Sequence, residues 1–166
     1  MILSGKAISL AREANDIIIE PYNKSQINPN SYNYRLGENI KIYTGFSDGI
    51  PIFEDYVIPS EGFVLLPGQM YLGHTYEKLG SKKYAMSLIG RSSIGRLGLF
   101  MQLSANLGHT TSIHCWTLEM FAAKPIRIYP KMIIGQISFW TNCGEVSEFI
   151  SEYIATSLPT ESLLKR

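Results

Sequence analysis

The sequence predicts a mainly β protein: a distorted antiparallel barrel or jelly roll with a short N-terminal helix. Short runs rich in β-branched and aromatic residues recur along the 166-residue chain, and turn-forming clusters separate them at fairly regular intervals. Helical spacing of apolar residues is confined to the N-terminus. With 45% hydrophobic residues, the chain can form one core. We therefore expect one domain over residues 1–150 and a polar tail over residues 151–166 that could act as a mobile lid.

The N-terminal helix is predicted to begin after Ser4, whose hydroxyl suits an N-cap. Ala7, Ile8 and Ala11 then recur at helical spacing. Eight β-favouring runs follow, at residues 17–19, 40–43, 63–66, 70–72, 84–89, 113–121, 126–129 and 132–140. Their alternation is imperfect, for example at the isoleucine pair 133–134, which is typical of strands covered on both faces. A second layer or another subunit is therefore expected to cover them.

Net charge and cysteine content limit the classes of binding partner and the cellular compartment that we expect. A formal net charge of +1 gives no broad basic surface, so we expect a small ligand rather than nucleic acid or an anionic membrane. No uncharged apolar run approaches the roughly 20 residues of a membrane span, and the N-terminus lacks a signal-peptide pattern. Cys115 and Cys143 are expected to be thiols in a reducing compartment. These features favour a cytoplasmic protein.

The strongest local feature is GRSSIGRLG at residues 90–98. Its three glycines allow close backbone approach, while the side chains of two arginines and two serines offer donors to anionic oxygens. The donors are Arg91, Ser92, Ser93 and Arg96. Neither a Walker A loop nor GxGxxG is present. From these residues alone, a polyphosphate site and a polar turn with solvated arginines are about equally supported.

A second candidate is Glu119, which lies in the apolar run CWTLEMF, where an ionised carboxylate is costly to bury without a partner. Such a carboxylate can serve as general acid and base. The segment alone more often indicates an outward-facing carboxylate or a buried partner of Arg96 or Arg127. The context of the whole chain must decide between these interpretations.

Histidines and aromatic residues give weaker signals. His74, His109 and His114 lack a convincing thiolate or carboxylate partner, and the H-x-E and P-C-x-x-C pattern of zinc-dependent cytosine deaminases is absent, so no zinc is expected. Most aromatic residues in strand-like segments are expected to pack in the core rather than to stack on a base. These are Phe100, Trp116, Phe121, Phe139 and Trp140. Tyr153, in the polar tail, is the exception.

Six segments resemble dCTP deaminases, in the same order along the chain. They are MILSGKAI at the start, NPNSYNYRLG at 28–37, LPGQMYLGHTYE at 66–77, GRSSIGRLG at 90–98, WTLEM at 116–120 and KMIIGQISF at 131–139. The resemblance covers roughly residues 1–146. It implies a dUTPase-like barrel and a homotrimer whose active sites form between subunits.

The resemblance also implies roles for the residues of the 90–98 segment. Arg91, Ser92 and Ser93 would hold a nucleoside triphosphate, and Arg96 would reach into the site of a neighbouring subunit. Ser92 and Arg96 would also position the attacking water and balance charge. Mg²⁺ would accompany the triphosphate, bound chiefly by phosphate oxygens and water.

On the base side, the resemblance implies zinc-independent deamination of a cytosine nucleotide, dCTP to dUTP plus ammonia. Glu119 would be the general base and acid, and Ala105 would present its backbone carbonyl beside the base. Thr117 and Leu118, next to Glu119 in the WTLEM segment, and Tyr153 of the tail would contact the nucleotide. Dedicated sulfur or imidazole ligands for a metal are not part of this arrangement.

The departures from the family pattern are informative. Where the family reads I-D-x-G-[WY]-x-G, this chain has GHTTSIH at 108–114, so His109 replaces an aspartate that contacts the sugar 3′-hydroxyl and in dUTPases prepares the attacking water. Asn33 stands for the aspartate of S-Y-D-x-R-L-G. The tail retains only Tyr153 and Lys165 as candidate nucleotide contacts. His109 therefore favours chemistry at the base over chemistry at the phosphates.

Three hypotheses stay open from the sequence. The first is a dCTP deaminase. The second keeps the fold with a changed reaction, acting on CTP, dCMP or a modified cytosine nucleotide, or hydrolysing dUTP as a diphosphatase. The third is a nucleotide-binding regulator without turnover. Glu119 and Arg96, both kept, favour the enzymes.

Overall fold

The structure is a computed structural model, and it describes residues 1–102, 105–150, 152–155 and 157–163. Lys165, a candidate tail contact, lies outside these ranges. The predicted N-terminal helix is confirmed as α1, Gly5–Glu13. The hydroxyl of Ser4 accepts a hydrogen bond from the backbone N–H of Ala7 at 3.3 Å, and Ile8 and Ala11 are buried, so the cap and the packed face are those expected from the sequence.

The rest of the chain is mainly β, as predicted. The strands are β1 Ile17–Glu20, β2 Tyr32–Arg35, β3 Asn39–Ser47, β4 Ile50–Val57, β5 Phe63–Leu65, β6 Met70–His74, β7 Lys78–Ser81, β8 Tyr84–Gly90, β9 Leu99–Met101, β10 Leu107–Gly108, β11 Ile113–His114, β12 Thr117–Ala122, β13 Ile126–Ile128 and β14 Ile133–Thr141. A second helix, α2, spans Ser92–Gly95, and short 3₁₀ helices span Lys24–Gln26 and Glu152–Ala155.

These strands form four antiparallel sheets, with the orders β4-β3-β6-β12-β9, β10-β8-β14-β2, β1-β7-β11 and β13-β5. The core between them is apolar and aromatic, and its largest fully buried side chains include Tyr32, Tyr34 and Phe139. Burial of this continuous apolar surface is the main source of stability in such a fold. The five-stranded sheet is the one that carries the candidate site.

The predicted run 113–121 is not one strand. β11 pairs with β7, whereas β12 pairs with β6 and β9, so the chain passes from one sheet to another between His114 and Thr117. At this crossing Trp116 exchanges hydrogen bonds with Thr75: the backbone N–H of Trp116 donates to the hydroxyl, and its carbonyl accepts from the Thr75 N–H, both at 2.9 Å. Local β propensity is continuous across the crossing, so it gave no signal of the change.

Several strands were not predicted, namely β2, β4, β7, β9 and β10. β4 contains Pro51 and the acidic pair Glu54 and Asp55, which hide its β pattern, and it lies at the edge of its sheet, where proline is tolerated. The expected core role of the aromatic residues is confirmed for Phe139 but wrong for Phe100, Phe121 and Trp140, which are 40–43% exposed. Strand alternation explains Phe121, because its neighbours on β12 face the core instead.

Candidate active site

The catalytic candidate Glu119 lies on the outer face of β12. Leu118, Met120 and Ala122 alternate into the core, so Thr117 and Glu119 point to the opposite face, where both are half-buried. Leu118 is fully buried, so its side chain is directed away from any ligand on this face, and a nucleotide contact by this residue would have to involve its backbone.

A cavity of about 530 Å³ opens over this face of β12. Its wall includes the predicted residues Glu119, Ala105, His109, Thr117 and Tyr153. Its size falls within the roughly 300–1,000 Å³ that is typical of small-ligand pockets. The base side of the predicted site is therefore brought together within one chain.

Glu119 carries no ion pair with Arg96 or Arg127 among the residues that the structure describes. Arg127 instead donates to the backbone carbonyl of Glu61 at 3.2 Å. The pairing with Arg96 or Arg127 is not found among the described residues, whereas Glu119 does face outward from its strand, as the other alternative expects. There it is half-buried in the wall of the cavity. A carboxylate in this setting can accept a proton from a ligand or a water molecule.

Gln102 connects Glu119 to Ala105. Its side-chain oxygen accepts a hydrogen bond from the backbone N–H of Glu119 at 2.8 Å, and its own backbone N–H donates to the Glu119 carbonyl at 3.2 Å. Its side-chain amide donates to the Ala105 carbonyl at 3.3 Å. Sequence reasoning missed Gln102, since no motif includes it and its contacts depend on the pairing of β9 with β12.

The second part of the predicted site is the 90–98 segment, which follows β8. It forms the single helical turn α2, whose buried Ile94 anchors it to the core. Ser92, Ser93 and Arg96 are exposed and Arg91 is half-buried. None of these four side chains lines the cavity beside Glu119.

Backbone geometry fixes where this segment ends. Gly98 has a φ of +91°, a conformation that glycine adopts readily, and its carbonyl accepts a hydrogen bond from the N–H of Ala123 at 2.7 Å. The segment is thus held just beyond the end of β12. The structure of one chain keeps the predicted phosphate donors apart from the cavity that contains Glu119.

Aromatic rings form two further parts of the cavity wall. His109 packs against Phe149 with ring centroids 4.3 Å apart, and the backbone N–H of Phe149 donates to the Thr111 hydroxyl at 3.1 Å. His114 packs against Trp116 at 4.2 Å. Burial lowers the pKa of His114 from its ordinary value, so its ring is neutral near pH 7.

His114, Trp116 and Phe149 were not predicted as site residues. The crossing between β11 and β12 brings His114 and Trp116 to the cavity, and its position could not be read from local propensity. Trp116 still contributes to packing, because its indole N–H donates to the Leu79 carbonyl at 2.9 Å and the ring contacts the core. Phe149 reaches the cavity only because the chain after β14 folds back.

The tail closes one side of the cavity. Thr160, Glu161 and Ser162 line it, and the backbone N–H of Thr160 donates to the Thr117 hydroxyl at 3.1 Å. Glu161 forms an ion pair with Lys41 of β3 at 3.1 Å, and Lys41 also pairs with Asp55 at 2.9 Å. The tail therefore meets the same strand that carries Glu119. That residues 151–166 form a separate, mobile tail stays a prediction.

Within the described ranges, no group of three or more His, Cys, Asp or Glu side chains is arranged to hold a metal ion. The described helices are all too short or too polar to cross a membrane. The cysteines Cys115 and Cys143 are both free, and burial raises the pKa of the Cys115 thiol.

Comparison with known proteins identifies the family. A family model described as dCTP deaminase-like matches residues 2–142. A protein of Clostridium botulinum (strain Alaska E43 / Type E3) named "dCTP deaminase, dUMP-forming" is 46% identical over 148 residues, covering 87% of this chain and 85% of the relative. A protein of Hathewaya histolytica with the same name is 42% identical over 156 residues, covering 91% and 89%.

Two further matches agree with these relatives. A Rhodopirellula baltica protein named "dCTP deaminase" is 39% identical over 155 residues, covering 92% of this chain and 78% of the relative. The solved 2'-deoxycytidine 5'-triphosphate deaminase of Agrobacterium tumefaciens superposes with a TM-score of 0.69 at 22% identity, over 85% of this chain, which spans 48% of the length of that structure. The sequence resemblance is thereby confirmed: this chain belongs to the dCTP deaminase-like family.

Proposed function

We propose that this protein is a hydrolase that deaminates dCTP without zinc, using Glu119 as general base and acid. The observation that carries the proposal is the position of Glu119, half-buried and without a cationic partner among the described residues, in the wall of a ligand-sized cavity that also contains Ala105. The relatives named as dCTP deaminases, at 39–46% identity over most of the chain, support the same substrate.

The chemistry follows from these groups. The Ala105 carbonyl accepts a hydrogen bond from the 4-amino group and orients the cytosine ring. Glu119 takes a proton from a water molecule, whose oxygen bonds to C4, and passes that proton to N3. The resulting tetrahedral carbon carries a hydroxyl and an amino group. Glu119 then moves the hydroxyl proton to the amino nitrogen, the C–N bond breaks, and ammonia and a uracil ring are formed.

The phosphate side of the proposed site comes from a neighbouring subunit of a homotrimer. The separation of the 90–98 segment from the cavity supports this, because Ser92 and Arg96 are exposed on α2 and are available to another chain. Arg91 and Ser93 would bind the triphosphate with them. Mg²⁺ would enter with the nucleotide, held by phosphate oxygens and water. The two free cysteines support a reducing, cytoplasmic setting.

The final product is proposed to be dUMP. The sequence resemblance led us to expect dUTP, but several relatives at 42–46% identity are named as dUMP-forming. His109 carries an imidazole that can take a proton from a water molecule attacking the phosphates, in place of the family aspartate. Release of dUTP is the second candidate, favoured by the loss of that aspartate at position 109.

The test is direct incubation of the protein with dCTP, CTP, dCMP or dUTP in the presence of Mg²⁺, following ammonia, uracil nucleotides and pyrophosphate separately. We expect ammonia from dCTP, with pyrophosphate and dUMP formed in equal amounts. Ammonia with accumulating dUTP selects the second candidate. If none of the cytosine nucleotides yields ammonia, the deaminase proposal is wrong.

A further inference from the structure

Gln102 has a place in the fold that its residue type alone does not favour. It directly follows β9, and its φ of +52° lies in the left-handed region, which is unfavourable for a glutamine. A residue is kept in such a conformation when the surrounding contacts hold it there, and these conformations cluster at functional sites. The contacts of Gln102 therefore account for this conformation.

Those contacts lie at the end of a β ladder. Met101 pairs with Met120, so the next pair along the ladder would join Gln102 and Glu119. The Gln102 backbone N–H still donates to the Glu119 carbonyl at 3.2 Å, but the chain turns away after it. The side-chain oxygen of Gln102 accepts the bond from the Glu119 N–H instead, at 2.8 Å. Both backbone polar groups of Glu119 are thus bound by one residue.

The same side chain reaches the other predicted contact of the base. Its amide nitrogen donates to the Ala105 carbonyl at 3.3 Å. A carbonyl oxygen has two lone pairs, so this bond leaves one acceptor position for a ligand. Ala105 is exposed and lies in a loop, with no strand pairing of its own, so the Gln102 amide is the described contact that ties its carbonyl to β12.

We propose that Gln102 is a positioning residue, which fixes the Ala105 carbonyl relative to Glu119 and so holds the cytosine amino group in register with the carboxylate. The proposal rests on the proposed deaminase function. Gln102 moves no proton itself. Its effect falls on the chemical step, since displacement of a reacting group by about 1 Å can cost about 100-fold in rate.

Two substitutions distinguish the hydrogen bond of the Gln102 side chain to Glu119 from its hydrogen bond to Ala105. Gln102→Glu keeps the side-chain length and an acceptor for the Glu119 N–H, but it replaces the donor to Ala105 with an oxygen that repels the carbonyl. Gln102→Leu removes both bonds at similar volume. The matched control is Gln69→Leu, because Gln69 is also half-buried and bonded at both amide atoms, to the Tyr43 carbonyl at 2.7 Å and the Tyr71 hydroxyl at 3.0 Å, outside the Glu119 cavity.

The measurements are kcat and KM for ammonia release from dCTP, together with hydrogen exchange of the residue 119 amide. We expect kcat to fall by about 10- to 100-fold in both Gln102 variants, with KM changed by less than about threefold. The residue 119 amide should stay protected in Gln102→Glu and exchange faster in Gln102→Leu. Gln69→Leu should keep the kcat of the wild type.

Several results would overturn the proposal: an unchanged kcat in Gln102→Glu, a loss confined to KM, or an equal loss of kcat in Gln69→Leu. Failure of the proposed function is distinguishable, because it would appear as absence of ammonia from the wild-type protein. In that case hydrogen exchange still tests whether the Gln102 side chain holds the backbone of Glu119. Equal exchange of the residue 119 amide in the wild type and Gln102→Leu would refute that role.

Discussion

The two parts of the predicted site differ in how much of their final environment one chain supplies. Glu119 lies in a cavity whose wall includes Ala105, and Gln102 ties both residues together. The 90–98 segment is anchored by the buried Ile94, but its donors Ser92 and Arg96 are exposed and do not line the cavity that contains Glu119. The difference supports the proposal that chemistry at the base is built within a chain, whereas binding of the phosphates depends on assembly.

The largest expected effect comes from removing the acid–base group of the cavity. Glu119→Gln should lower the rate of ammonia release from dCTP by about 10²- to 10⁴-fold, the usual contribution of general acid–base catalysis, because an amide cannot shuttle protons. Binding of dCTP should persist, since the amide can still form hydrogen bonds. Rates follow from ammonia assays and affinity from calorimetry.

The matched control for that substitution is Glu61→Gln, which changes an exposed glutamate outside the cavity and should leave the rate unchanged. Unchanged ammonia release in Glu119→Gln would remove Glu119 from the mechanism. Loss of dCTP binding along with activity would assign Glu119 a binding role instead.

The second prediction tests whether the two parts meet across subunits. Glu119→Gln and Arg96→Ala should each be nearly inactive alone, while co-refolded mixtures should regain activity. In a random equal mixture, a site needs Glu119 from one chain and Arg96 from its neighbour, so about a quarter of the sites would be intact in a closed ring. Recovery toward that fraction supports sites between subunits.

The control mixture combines Glu119→Gln with Gln102→Leu, a variant of lowered activity whose substitution lies in the same part of the site. Because one chain supplies that whole part, this mixture should not exceed the activity of Gln102→Leu itself. If the Glu119→Gln and Arg96→Ala mixture shows no recovery although the chains form mixed oligomers, each site is contained within one chain. The contrast between the two parts of the site would then be a matter of local geometry only.

What the sequence could predict differs between these parts in the same way. Glu119, Ala105 and His109 were predicted from the family resemblance, Glu119 within the WTLEM segment and His109 as a departure from the family pattern, and the structure brings all three to the wall of one cavity. Gln102 and Trp116 were missed because their roles arise from non-local events: a left-handed φ at the end of β9 and a change of sheet between β11 and β12. Gln102 lies in no matching segment, and Trp116, although it lies in WTLEM, is expected from its local sequence to pack in the core.

The fold shows the same division. α1 was predicted correctly because its cap and its apolar spacing are local. β4 was missed because its residues are mostly exposed on both faces and are held in the sheet by pairing with β3, which places Asp55 opposite Lys41. An edge strand of this kind is defined by its partner and not by its own hydrophobic pattern.

The third prediction concerns the reaction at the phosphates. His109→Asn should lower the ratio of pyrophosphate to ammonia by about tenfold, so that dUTP accumulates, because an amide cannot take the proton from an attacking water. His109→Asp should keep a ratio close to that of the wild type, since a carboxylate can act as base. Separate assays of the two products give the ratio.

An equal ratio in the wild type and both variants would show that His109 takes no part in phosphate hydrolysis. If the wild type itself releases dUTP, His109→Asp becomes the informative variant, and a rise in dUMP would identify position 109 as the one that sets the product. Either result shows whether residue 109 takes part in the reaction at the phosphates.

The smallest expected effect concerns the tail over the Glu119 cavity. Lys41 pairs with both Glu161 and Asp55, and although burial acts to lower the pKa of Lys41, the two carboxylates raise it overall. Glu161→Gln should raise the KM for dCTP by about two- to threefold, because an ion pair of this exposure contributes at most about 1 kcal/mol to tail docking.

Asp55→Asn is the matched control, since it removes a carboxylate from the same ammonium group but leaves the tail contact with Lys41 intact. Asp55 is 83% exposed and does not line the cavity, so the KM of Asp55→Asn for dCTP should equal that of the wild type. Equal increases in KM in both variants would mean that KM depends on the charge around Lys41 and not on the contact between Lys41 and the tail. An increase in KM confined to Glu161→Gln would mean that residues 160–162 belong to the part of the site that one chain supplies. The neighbouring subunit would then need to provide only the phosphate donors of the 90–98 segment.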